Sequence, residues 1–506
     1  MLRLPPLILQ GYLGTTNYHY HGVLLMELFS NQPNDEGLPG RERGLAMLAV
    51  MTTTTMVVFD GTMVNIALPQ MAQALGVSAA ATVWVANGYL LSAAMTLAIF
   101  AALASRIGFR SLFLFGLGVF TLASLGCALS SSLEMLIAMR LLQGVGGAAT
   151  LSIAPAILRS IFPNRLLGRI LGINALLIAS ITAIAPIVGG TLLSALSWQW
   201  LFALNLPLGM AALTLAWRAI PGTATSREPF DVAGALLSAA SLGALIMLAN
   251  SFSDAAAFSA NSLLSALAYA LVASIAGVAF IRRQRRAPKP LLPLTIFAST
   301  RFSLAALTSL ASFVSQGITF VALPFLFQQV YGYSALFSAL LFTPWPLGIM
   351  LAAPHAGRLA DRHSPAMIST LGLGVFAVGL SLLAWLPEAA SAWDIGMRSL
   401  VCGIGFGCFQ SPNNREMLSN ASRENSGYAS GVLAIVRTFG QCLGAALVGV
   451  MLSVAAHSGA TGMGIVAVEA QAVRLSLWLA VATTLLAGAF SVSRLRRIGA
   501  QRQNRA

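Results

Sequence analysis

The sequence predicts an all-α, polytopic membrane protein that crosses the bilayer about fourteen times, and three observations carry that prediction. First, 57% of its 506 residues are hydrophobic and only 9% are charged, against roughly a quarter charged in soluble domains. Second, the apolar residues gather into runs long enough for a helix to cross a hydrocarbon core of about 30 Å. They lack the ten-residue alternation of a barrel strand, so helices satisfy the backbone. Third, the basic residues punctuate these runs at every second connection.

The spans follow in order. The first, near 45–69, starts after Arg41 and Arg43 and holds one charge, Asp60. The second and third, 82–103 and 111–130, flank Arg106 and Arg110. The fourth, 133–157, contains Arg140 and a glycine cluster. Spans at 168–194 and 199–218 follow Arg165 and end at Arg218; those at 232–250 and 262–281 precede the run "RRQRRAPK" at 282–289. The remaining six are expected at 303–327, 335–355, 367–387, 395–414, 428–455 and 473–493. Several contain proline, which is tolerated where a neighbour or a cavity re-satisfies the freed carbonyl.

The arginines at 106–110, 159–169, 218–227, 282–286, 358–362, 415–423 and 494–505 lie in alternate connections, which are cytoplasmic by the positive-inside rule. Both termini are then cytoplasmic. The net charge of +14 is a topology signal rather than a nucleic-acid surface, because the arginines do not share one face. Cys127, Cys402, Cys408 and Cys442 sit in apolar segments without metal-ligand spacing and read as packing residues. No His, carboxylate and nucleophile form a recognisable enzyme motif, and no cofactor or metal is expected. The expected units are a leader at 1–44, whose first 25 residues read as untranslated because Met26 opens a polar segment; a half at 45–218; an insertion at 219–302; a second half at 303–493; and a basic tail at 494–506.

The two halves carry related signals. "ALASRIGFRS" (102–111) after span 2 matches "GRLADRHSPA" (357–366) after span 10, and "RLLQGVGGAA" (140–149) matches "RSLVCGIGFG" (398–407). Parallel related halves imply an interfacial cavity and alternating access.

Four further patterns stand in order: "FDGTMVNIALP" (59–69); Arg140, Gln143, Gly144 and Gly146; "APIVGG" (185–190); and "WQWLFALNLPLG" (198–209). In these the chain resembles the fourteen-span drug:proton antiporter branch of the major facilitator superfamily, from about residue 45 to 493. The resemblance implies a proton-coupled multidrug efflux antiporter of the cell membrane, the inner membrane in a Gram-negative cell. The exported compounds would be apolar, aromatic or cationic, and the partners protons, small molecules and the bilayer, with no nucleic acid. No periplasmic adaptor is identified. A transporter for one specific metabolite, and a receptor or scaffold on the same fold, are the alternatives.

On that reading Asp60 and Arg140 couple protons; the rival reading of Asp60 is a structural hydrogen-bond cap, and of Arg140 a tether to backbone carbonyls. Asn65, Trp84, Tyr89, Gln143, Gln316 and Arg437 are the cavity candidates, although Trp84 and Tyr89 also suit interfacial anchoring. Gly144, Gly146, Pro186, Gly189 and Gly190 form the conformational motif, or simply let helices approach. The cytoplasmic gate falls on Arg106, Gly108, Arg110, Gly357, Asp361 and Arg362. Ser105 stands where the first copy's aspartate belongs, which places the latch on Asp361. No second carboxylate is expected deep in a span.

Overall fold

The structure, a computed structural model, describes residues 28–30, 35–222, 230–252, 260–288, 290–387, 390–420, 426–458 and 465–503. The expectation for residues 1–25 lies outside them. Among the described residues, fourteen long helical segments appear. The first six are α1 Gly40–Leu75, α2 Ala79–Ile107, α3 Phe109–Ala128, α4 Leu133–Ile161, α5 Asn164–Ala195 and α6 Gln199–Ala219. Two more follow, α7 Val232–Asn250 and α8 Ala260–Arg286. The last six are α9 Thr300–Val330, α10 Ala335–Arg362, α11 Pro365–Ala384, α12 Ala392–Ser419, α13 Ser426–Ser458 and α14 Ile465–Gln503.

Most helices outrun the expected spans because apolar composition marks the hydrocarbon, whereas caps mark the helix. α1 ends only at Gly76, whose φ of 65° suits glycine and whose N–H closes on the Ala72 and Gln73 carbonyls. α14 continues through the expected tail boundary at 494. Thirteen described helices are long and apolar enough to cross a membrane unaided. α12 is the exception, and its polar side chains find partners on other helices: Asn413 donates to the Ala305 carbonyl and to Ser309 of α9, and Glu416 pairs with Arg494 of α14.

The packing repeats with an offset of eight helices. α4 lies against α2 and α3 as α12 lies against α10 and α11; α1 contacts α5 and α6 as α9 contacts α13 and α14. The two units meet along two equivalent seams, α2 on α13 and α5 on α10, with α1 touching α9 between them. α7 packs on both α2 and α13, along one seam only, and α8 packs on α7. At the end opposite the arginines, one apolar cluster joins Met63, Leu68, Val321, Phe325, Ala339 and Leu452 from both units. Toward the arginine-rich end the larger clusters are separate, one within the first unit and another around Phe302, Met417 and Val432, and a small cluster of Ala93, Leu97 and Ala148 meets Ala434 and Ile435 of α13. On the α7 side of this end lies a cavity of about 520 Å³, lined by Ala101 and Ser105 of α2, Ser238 and Leu242 of α7, Phe280 of α8, and Tyr428 and Gly431 of α13.

Candidate functional site

Asp60 is not the lone charge that its own helix suggests. It is fully buried, and Arg140 Nη1 of α4 meets its Oδ2 at 2.5 Å. Its other oxygen accepts from Gln143 Nε2 at 2.9 Å and Asn205 Nδ2 at 3.0 Å. Arg140 also donates to the Gln143 Oε1 at 2.6 Å and, through Nε, to the Val85 carbonyl at 2.9 Å. Gln143 and Asn205 both reach Ser124 of α3. The guanidinium lies over the Tyr89 ring at 4.5 Å and the Phe202 ring at 5.6 Å. A buried ion pair is tolerable when its hydrogen-bonding groups are filled, as they are here for both Asp60 oxygens and for Arg140 Nε and Nη1.

The glycines after Arg140 make this geometry. A Cβ on Gly144 would stand 2.1 Å from Ser92 Oγ and 2.3 Å from the Tyr89 carbonyl; one on Gly146 would stand 2.6 Å from the Gly116 carbonyl. α2 and α3 therefore approach α4 closely enough to bring the Val85 carbonyl and Ser124 to side chains one turn away. Gly189 meets Met63 of α1, whereas a Cβ on Gly190 would be 2.8 Å from the Ala335 carbonyl of the other unit. Pro186 lacks the N–H that would bind the Thr182 carbonyl, beside the central cavity.

That cavity, of about 170 Å³, lies between the units and is lined by Asn65, Tyr89, Gln316 and Arg437 among the sequence candidates. Two others are placed elsewhere. Trp84 packs with Leu91, Ile246 and Cys442 under α7, and Gln143 is spent in the ion-pair network. Asp60 itself does not face the cavity, because Tyr89 covers Arg140 on that side.

At the arginine-rich end Gly108 holds φ at 88° between α2 and α3, a conformation only glycine adopts cheaply. Arg106 lies over Phe230 and Arg110 over Trp217, while Asp361 pairs with Arg415 on α12 and Arg362 is exposed beside it. Gly357 faces Ser411 Oγ. One carboxylate that sequence reasoning did not single out is buried near the end of α12, beyond the expected span: Glu416 lies 3.3 Å from Arg494, itself buried and bonded to Asn413 and Ser491. Sequence reasoning also gave Asn205 no role, although it stands in the quoted run that opens α6.

Two six-helix units of like packing around a central cavity, with compensated charges beside it, define a membrane transporter. The chain belongs to the Major Facilitator Superfamily, whose family model matches residues 50–445. It is 42% identical to the uncharacterized transporter YebQ of Escherichia coli K12, over 83% of this chain and 91% of that one. It is 28% identical to the multidrug export protein EmrB of Haemophilus influenzae, over 80% and 79% of the two chains. The crystal structure of a bacterial homologue of the human lysosomal transporter Spinster, inward-facing and unoccupied, matches with a TM-score of 0.65 at 16% identity, covering 90% of this chain and 97% of that one. That likeness is one of fold.

Proposed function

We propose that the protein is a proton-driven exporter of small amphipathic compounds from the cytoplasm, with the arginine-rich end cytoplasmic and both termini there. The observation that carries this reading is the Asp60–Arg140 pair sealed behind Tyr89, one side chain away from the cavity. In this reading the units, joined by one large cluster at the external end and divided between separate larger clusters at the cytoplasmic one, stand in the state that follows proton release to the cytoplasm. Protonating Asp60 from outside would neutralise it and leave Arg140 without a counterion, loosening α4 from α1. Re-forming the pair on the cytoplasmic side expels the proton. Exchange is then obligatory because each packing of α1 against α4 belongs to one state of access. Resemblance to a multidrug exporter supports a broad range of compounds. The gate residues Arg106, Gly108, Arg110, Gly357, Asp361 and Arg362 belong in this reading to the cytoplasmic closure.

The test is substrate-induced proton release from purified protein in weakly buffered detergent, alongside efflux from everted vesicles across a compound panel. Release from wild type and none from Asp60→Asn is expected. Equal release from both would mean that another group carries the proton.

A further inference from the structure

Arg437 is, among the described residues, the one charged side chain that lines the central cavity. Its guanidinium lies 6.0 Å from the Phe313 ring, and no carboxylate or carbonyl accepts from it among the described residues. Asp60, the carboxylate that the resemblance gives a proton-coupling role, is fully buried beyond Tyr89 with both oxygens occupied by Arg140, Gln143 and Asn205. The cavity therefore presents a permanent cation that is exposed to its open space and has no hydrogen-bond or ion-pair partner among the described residues, a group placed to bind an anion.

We infer that this cavity selects small aromatic or apolar compounds bearing an acidic group, with Arg437 binding the anion. The inference rests on the reading of this space as the substrate cavity. Gln441 donates to Gln316 Oε1 at 2.9 Å, leaving the Gln316 amide N–H groups and Asn65 to complete the anion's hydrogen bonds. Phe320 and Tyr89 supply apolar and aromatic surface for the body. A volume of about 170 Å³ suits roughly two fused rings. The sequence expectation of cationic substrates is revised accordingly, since a cation would be repelled here.

The experiment uses full-length protein in phosphatidylcholine nanodiscs and two probes with one ring system and opposite charge, 2-naphthoate and 2-naphthylmethylammonium. Binding is measured by equilibrium dialysis against empty nanodiscs. Wild type should bind the anion roughly 10- to 100-fold more tightly, the span of a charge-assisted hydrogen bond. Arg437→Gln should lose the preference and Arg437→Lys keep most of it. Gln441→Glu should also abolish it, by neutralising the cavity with the guanidinium still present, so the test survives an unstable Arg437→Gln. Equal or inverted affinities in wild type, an unchanged preference in Gln441→Glu, or saturable binding of neither probe overturns the inference. No gradient is applied, so an anion preference without any efflux would refute the transport reading alone, and efflux without the preference would refute this one alone.

Discussion

Asp60→Asn replaces a carboxylate by an amide of almost the same shape, and on the sequence alone it is a quiet substitution. In the structure it is not. Arg140 is 1% exposed and has Asp60 as its counterion, so the variant leaves a guanidinium buried without opposite charge. Breaking a buried ion pair from one side costs about 3–5 kcal/mol, and Arg140→Gln should cost a similar amount by stranding the carboxylate. Replacing both partners is a different matter. Two amides in the same place retain hydrogen-bonding partners in Gln143, Asn205 and the Val85 carbonyl, and the net change should be within about 2 kcal/mol of wild type. The double variant should thus be at least about 4 kcal/mol more stable than the sum of the two single losses. The assay is unfolding in mixed micelles by dodecyl sulfate, followed by tryptophan fluorescence for all four proteins. The same set in pH-gradient-driven vesicles separates stability from coupling: the double variant should fold and still fail to accumulate substrate. Single variants indistinguishable from wild type, or strictly additive losses, would refute the reasoning.

Other outcomes follow from particular contacts. Gly144→Ala places a methyl 2.1 Å from Ser92 Oγ and should destabilise by about 1–3 kcal/mol, whereas Gly168→Ala, with open space around its Cβ, should not; thermal unfolding in detergent compares them. Asp361→Ala should slow transport yet leave equilibrium substrate binding and unfolding nearly unchanged, because the Asp361–Arg415 pair is exposed on both sides; loss of binding would contradict a gate role. Burial acts to raise the Asp231 carboxyl, but hydrogen bonds from Arg283, the Gly234 N–H and Gln284 outweigh it and hold the group below its ordinary 3.8. Its folded value being the lower one, its contribution is present above pH 3.8 and lost as pH falls through that lower value, so hydrogen exchange in α7 and α8 should rise on such acidification in wild type and lose that dependence in Asp231→Asn. A reporter fused after Arg286 should be cytoplasmic and one near Ser253, outside the described residues, external; the opposite pair would invert the bundle.

How far residues speak for themselves differs between fold and site. The spans were legible because hydrocarbon demands a run of apolar residues and the arginines mark alternate ends; even α12, too polar over its full length to qualify unaided, holds the run at 395–414 from which its span was expected. Asp60 and Arg140 were each legible as costly charges. Their pairing was not, since it is made by α4 closing on α1 across 80 residues of sequence, although two opposite deep charges in one half invite it. Arg494 misled for a related reason. It is the first arginine after an apolar run and looked like the start of a solvated tail, but its partner Glu416 lies near the end of α12, where a buried carboxylate leaves no periodicity to read. Trp84 was ambiguous in sequence because an aromatic near a helix end suits lipid, cavity or protein equally, and α7 decided the matter by packing over it.

The place of α7 has one more consequence. The two units repeat each other closely, so a bundle of α1–α6 and α9–α14 alone would show the surrounding lipid two equivalent seams. With α7 laid along α2 and α13, and α8 outside it, one flank becomes a wall three helices deep while the α5–α10 flank stays one helix pair thick. The molecule therefore has a front and a back, and on its thinner flank the seam is held at Gly190, where α5 and α10 approach backbone to backbone.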